Sequence, residues 1–145
     1  MKKEYSYGAV LYKVENGEVL FLVEHMGLGH TSLPKGHIEE GESIEDCVHR
    51  ELLEELGIHI KLDTSFSKTI SYSPYPDILK DVTFFLATPL DEEIKVDHDE
   101  VVSAEWLNFM QALQALTFPS DKDVLEEAKE VIFQKYPTIC DNYKA

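Results

Sequence analysis

Residues 36–58 read Gly36-His37-Ile38-Glu39-Glu40-Gly41-Glu42-Ser43-Ile44-Glu45-Asp46-Cys47-Val48-His49-Arg50-Glu51-Leu52-Leu53-Glu54-Glu55-Leu56-Gly57-Ile58. Eight acidic residues surround Arg50, the only arginine of the chain. The second half predicts a helix over about 44–56. Ser43 is a suitable N-cap, with Asp46 three residues on in an approximate capping box. Gly57 suits the left-handed position that ends a helix. Ile44, Val48, Leu52 and Leu56 form an apolar stripe. Glu51, Glu54 and Glu55 fall on one arc, since residues three and four apart are neighbours. A solvated acidic face belongs opposite the stripe, whereas this arc overlaps its edge, so the carboxylates are expected to face a cleft. Like charges four apart weaken a helix unless something compensates. A hard divalent cation such as Mg²⁺ gathers oxygen ligands of this kind.

The spacing is Gly36, five residues, Glu42, seven residues, Arg50-Glu51-Leu52, one residue, Glu54-Glu55, one residue, Gly57-Ile58. It resembles the Nudix box at every fixed position, and a pattern with so many fixed positions is highly specific. The resemblance implies an α/β (α+β) Nudix fold, a mixed β-sheet sandwiched between helices. It implies hydrolysis of a pyrophosphate bond in a nucleoside diphosphate linked to another group. It places Mg²⁺ or Mn²⁺ on the Gly36 carbonyl, Glu51, Glu54 and Glu55, and gives Arg50 the orienting of the neighbouring glutamate.

Residues around the box narrow the resemblance. Gly29-His30, Leu33-Pro34-Lys35-Gly36-His37-Ile38-Glu39, Ser6-Tyr7-Gly8-Ala9-Val10 and Glu105-Trp106-Leu107 are similar to the dinucleoside tetraphosphate hydrolase branch. This likeness extends to about Tyr136. It implies asymmetric cleavage of diadenosine tetraphosphate to ATP and AMP. A tetraphosphate needs positive contacts beyond the metals. His30, Lys35 and Lys80 are the candidates, lysine acting as a point charge on phosphate. Adenine needs an aromatic platform. By the branch's pattern, Tyr72 or Tyr75 and Phe118 occupy those places. The branch also carries a distal acid, here Glu100, and either Glu51 or Glu100 takes the proton from water.

Composition bounds the reading. The 145 residues suit one Nudix domain over 1–145, with a polar tail from about 137. A net charge of −15 disfavours nucleic-acid backbones and anionic membranes as partners. It would also repel a polyphosphate unless bound cations reverse the local field. Neither a leader-like apolar segment nor a membrane-length apolar run occurs. Cys47 and Cys140 lack metal-type spacing and read as reduced thiols, so a cytoplasmic location is expected.

Along the chain, Tyr5 to Val14 and Glu18 to His25 read as strands joined by an Asn16-Gly17 turn. Gly27 to Pro34 reads as a loop. Ile58 to Leu62 and Ser65 to Tyr72 read as separate strands, and the two prolines of Ser73-Pro74-Tyr75-Pro76-Asp77 argue against regular structure there. Strands are expected over Asp81 to Thr88 and Val101 to Leu107, flanking an acidic loop over Asp91 to Glu100. Helices are expected over Asn108 to Leu116 and Asp121 to Tyr136, the latter capped by Ser120 or Asp121.

Alternatives within the superfamily are hydrolysis of oxidised nucleoside triphosphates or of an RNA 5′ pyrophosphate. Pro34-Lys35-Gly36-His37 counts against both. A diphosphoinositol polyphosphate substrate would need a basic cluster that this chain lacks. An alternative from another class is a non-catalytic nucleotide sensor, though such domains usually lose box glutamates and none is lost here.

Overall fold

The computed structural model describes residues 2–136. The polar tail expected from about 137, and Cys140, lie outside the described residues. The strands are β1 (Lys2–Glu15), β2 (Glu18–Met26), β3 (Thr31–Ser32), β4 (Lys35–His37), β5 (Ile60–Tyr75), β6 (Ile78–Pro89) and β7 (Val101–Leu107). The helices are α1 (Ile44–Leu56), α2 (Phe109–Ala115) and α3 (Pro119–Lys135). None of these helices is long and apolar enough to cross a membrane.

β1 is the central strand. It pairs antiparallel with β2 and β4 and parallel with β6, and β5 lies outside β6 while β3 and β7 flank β2. The sheet is therefore mixed. Asn16 and Gly17 both take positive φ, 54° and 76°, the geometry of a tight hairpin turn. Alternation along β1 splits the interior in two, because successive side chains point to opposite faces. Val10 and Tyr12 pack with Val124, Leu125, Ala128 and Ile132 of α3, while Ala9 and Leu11 pack with Val48, Leu52 and Leu56 of α1. Helices thus cover both faces of a mixed sheet, as expected.

α1 begins and ends as its sequence directs. The Ser43 hydroxyl accepts the Asp46 N–H at 3.1 Å, and Gly57 closes the helix at φ 66°. The stripe is modified: Ile44, in the first turn, is 41% exposed, and Cys47 and Glu55 join Val48, Leu52 and Leu56 in the buried arc. Burying each leucine fully is worth roughly 1.5–3 kcal/mol.

The structure corrects four expectations. The two predicted strands between residues 58 and 72 are one strand, β5, irregular between Asp63 and Lys68. Ser73, Pro74 and Tyr75 continue that strand. Among the described residues β5 pairs only with β6, and the pairing skips from Tyr72 to Tyr75, so Pro74 falls at an edge-strand irregularity where its missing N–H harms nothing. The loop after Met26 contains β3, and the following residues form β4. Lastly, α3 is not capped by Ser120 or Asp121; Phe118 is its N-cap, without a side-chain bond, and Pro119 opens it.

Candidate active site

Arg50 organises the box. Its Nε and Nη2 donate to Glu42 Oε2 and Oε1 at 2.6 and 3.0 Å. Its Nη1 donates to Glu51 Oε1 at 2.9 Å and Glu54 Oε2 at 3.1 Å, and Nη2 also reaches the His37 carbonyl at 2.9 Å. A planar fork with five donors can serve so many acceptors at fixed angles. The guanidinium holds the Glu42 carboxyl down to about 2.

Strand pairing carries the glycine loop to the helix. Ser6, Tyr7 and Gly8 of β1 register with His37, Gly36 and Lys35 of β4. Gly36 then lies so close to α1 that an added Cβ would stand 1.9–2.3 Å from the Glu51 carboxylate atoms. Only glycine permits this approach.

Glu51, Glu54, Glu55 and Glu100 line one cleft with Lys35, Gly36 and Arg50. Their exposures differ: Glu54 stands at the rim with its side chain 59% exposed, Glu51 is mostly enclosed, and Glu55 is 6% exposed. Burial pushes the Glu51 carboxyl up, with Arg50 pulling it back. Burial raises Glu55 more strongly, and Glu24 adds to the effect.

Glu24 is a further acid of this site, outside the box motif. It lies on β2, is 1% exposed, and is pushed up first by burial and then by Asp97. Oε2 of Glu24 and Oε2 of Glu55 are both enclosed without a hydrogen-bond partner among the described residues. A sequence signal for it exists. Leu22 packs against α1, and two residues later the same face of β2 carries Glu24.

The positive contacts and the aromatic platform adjoin this cleft. His30, Lys35 and Lys80 line a neighbouring hollow of about 250 Å³ with Glu24, Gly36, Glu55 and Glu100. His30, Lys35, Tyr72 and Phe118 then line a third pocket of about 360 Å³, with Ile70 and Asp121. Lys35 belongs to all three. Tyr72 and Lys80 are cross-strand partners, which sets the Lys80 Nζ 6.0 Å and the Lys35 Nζ 5.7 Å from the Tyr72 ring centre. His30 packs on Phe118 with ring centres 5.5 Å apart. Larger hollows beside Tyr12 and Lys135, and beside Lys13 and Trp106, share no residue with these clefts.

The structure thus gathers His30, Lys35, Gly36, Arg50, Glu51, Glu54, Glu55, Tyr72, Lys80, Glu100 and Phe118 around contiguous clefts. It leaves Tyr75 out. Tyr75 is 66% exposed at the end of β5 and lines none of these clefts.

An oxygen-only donor set with enclosed, unpartnered carboxylate atoms and a glycine-sized opening suits a hard divalent cation. Among the described residues the carboxylates share a cleft without meeting at one point. Arg50 tethers Glu51 and Glu54 by hydrogen bonds, which must loosen if those side chains are to turn onto a cation.

Comparison with known proteins bears on this arrangement. A family model described as "NUDIX domain" matches residues 2–128. The chain is 32% identical to the bis(5′-nucleosyl)-tetraphosphatase [asymmetrical] of Sus scrofa, over 83% of this chain and 85% of that protein. It is 33% identical to the NAD-capped RNA hydrolase NudC of Chromobacterium violaceum, over 77% of this chain, but spans only 41% of that relative's length. Among solved structures, a C. elegans Ap4A hydrolase binary complex superposes with a TM-score of 0.81 over 89% of this chain and 97% of that one, at 21% identity. The NUDIX domain of Shewanella oneidensis NrtR, complexed with ADP ribose, superposes with a TM-score of 0.73 over 91% of this chain and 90% of that one, at 18% identity. At those identities the structural likeness speaks to the fold alone.

Proposed function

The chain belongs to the NUDIX domain family, and on that premise we propose that it hydrolyses dinucleoside polyphosphates, cutting diadenosine tetraphosphate to ATP and AMP. The observation that carries this reading is the position of Lys35, which joins the acidic cleft to the aromatic pocket. A nucleoside seated against Tyr72 and Phe118 sends its phosphate chain past His30, Lys35 and Lys80 toward the carboxylates. The Sus scrofa tetraphosphatase, matched over most of both chains, supports the substrate class.

The Gly36 carbonyl, Glu51, Glu54 and Glu55 would hold Mg²⁺ or Mn²⁺, with Glu24 enclosed beside Glu55. A bound divalent ion supplies charge neutralisation on phosphate oxygens and lowers the pKa of the attacking water. Glu51 or Glu100 removes the proton from that water. The water oxygen bonds to the phosphorus that becomes AMP as the bridging P–O bond breaks, and ATP leaves. Lys35 and His30 stabilise charge on the bridge. Arg50 fixes the orientation of Glu51 and does not itself meet the reacting atoms.

The test is incubation with diadenosine tetraphosphate and Mg²⁺ in ¹⁸O-labelled water. ATP and AMP are expected, with the label in AMP. The site is lopsided, an aromatic pocket on one side and carboxylates on the other, and such a site cuts a symmetric substrate off-centre. Release of two ADP, or full turnover in EDTA, overturns the reading. Faster turnover of an NAD-capped or triphosphorylated RNA end would move the protein toward RNA decapping, which a net charge of −15 opposes.

A further inference from the structure

The aromatic pocket contains one enclosed acid. Asp121 lies in the first turn of α3 and is 2% exposed. Its N–H donates to the Phe118 carbonyl at 3.1 Å. Its carboxyl makes no hydrogen bond or ion pair among the described residues, and Lys35 and His30 act on it only through space. The same residue lines the pocket formed by Ile70, Tyr72 and Phe118. Burying a carboxyl beside apolar walls without a partner is unfavourable. The field of the α3 N-terminus favours an acid in its first turn, more so where that acid is partly buried, but it supplies no hydrogen-bond partner and does not account for the carboxyl lining this pocket. A carboxylate would also repel a phosphate, so its place in this pocket calls for a ligand that donates. An ionised carboxyl only accepts hydrogen bonds. Among the parts of a nucleotide, the base fits the apolar part of the pocket, and its exocyclic amino group is the donor.

We propose that Asp121 is a specificity-determining residue, accepting a hydrogen bond from an amino group of a purine base seated against Tyr72 and Phe118. This rests on the reading of that pocket as the nucleoside site. It deepens that reading by selecting amino-bearing purines over purines that lack the group. A site built around a buried acceptor rejects the analogue without the donor, because the acceptor is then left unpaired.

The experiment is a double cycle on binding by the full chain. Dissociation constants are measured by calorimetry for AMP against purine ribonucleoside 5′-monophosphate, which lacks the 6-amino group. GMP against IMP, which lacks the 2-amino group, forms a second pair. Each pair is measured with the wild type, Asp121→Leu and Asp121→Asn. Leucine is close to aspartate in shape and removes the buried carboxyl, so the variant should fold; its melting temperature checks this. In at least one pair the wild type should favour the amino-bearing ligand by roughly tenfold or more. Asp121→Leu should erase that preference, and Asp121→Asn, which keeps a carbonyl acceptor, should restore part of it. If Asp121 instead acts through Lys35 or His30, both ligands of a pair weaken equally in Asp121→Leu, and the proposal is overturned. It is overturned as well if the preference persists in Asp121→Leu, if the loss follows deletion of a ribose hydroxyl, or if no ligand of either pair binds. Cleavage of diadenosine tetraphosphate is read separately, so either result can fail while the other stands.

Discussion

Arg50 holds the Glu42 carboxylate in a two-pronged grip, Nε to Oε2 at 2.6 Å and Nη2 to Oε1 at 3.0 Å, and extends its remaining Nη1 to Glu51 and Glu54. The anchor at Glu42 fixes the plane of the guanidinium. That plane in turn fixes the direction of the Glu51 carboxylate toward the Gly36 loop.

Arg50→Lys should therefore lower kcat far more than it changes KM. Lysine keeps the charge but cannot serve Glu42 and Glu51 at set angles together. A fall of about 10- to 100-fold in kcat is expected, since the interaction matters most where geometry is strictest. Steady-state kinetics checks it. A change confined to KM would show that Arg50 binds substrate instead of orienting Glu51.

Glu24 and Glu55 are adjacent enclosed acids, both pushed up chiefly by burial, and each has one oxygen unpartnered among the described residues. Glu24→Gln should raise the melting temperature in EDTA, because an amide of nearly the same volume removes a buried group whose ionisation is opposed by desolvation. It should also shrink the rise in melting temperature that Mn²⁺ produces. Glu55→Gln should do both and abolish turnover while the fold persists, at a cost of several kcal/mol in the barrier. Calorimetric scans with and without Mn²⁺ are the measurement. Unchanged metal stabilisation in Glu24→Gln would place that residue outside the cation's reach.

Tyr72→Ala and Phe118→Ala should each raise KM for a dinucleotide substrate, by an amount near the about 1–3 kcal/mol that base stacking on an aromatic is worth. Tyr75→Ala should leave KM as it is, because Tyr75 is 66% exposed and away from the pocket. Equal effects from the two tyrosines would contradict the asymmetry seen along β5.

Asp63 on β5 pairs with Lys135 near the end of α3. That hydrogen bond, helped by Ser65, pulls the Asp63 carboxyl down to about 2 from an ordinary value of 3.8. A carboxyl with a depressed folded-state pKa contributes stability that is full above the unfolded value and is lost as pH falls toward the folded value. Asp63→Asn should accordingly cost roughly 1 kcal/mol at pH 7, the partial exposure of both groups screening the pair. The cost should shrink between about pH 4 and pH 2. Urea unfolding of both proteins across that range reads the difference. A cost that stays constant with pH would assign the effect to packing.

What the sequence determined by itself was local. Ser43 and Gly57 set the ends of α1, Asn16-Gly17 set the hairpin, and the three- and four-residue spacings of Glu51, Glu54 and Glu55 set one carboxylate arc, because each depends on backbone geometry within a few residues. The orienting role of Arg50 came from the resemblance to the Nudix box and not from its uniqueness among the cations. Tertiary pairing decided the rest. Tyr72, and not Tyr75, meets Lys80 and Lys35 because of the register of β5 on β6. Pro74 stays within a strand because β5 is an edge. Glu24 and Asp121 become enclosed acids only when α1 covers β2 and α3 closes on the aromatic pocket, so neighbours far away in sequence determine their burial. A local pattern carries no information about which distant surface will exclude water from a side chain, and that exclusion gives these two acids their chemistry.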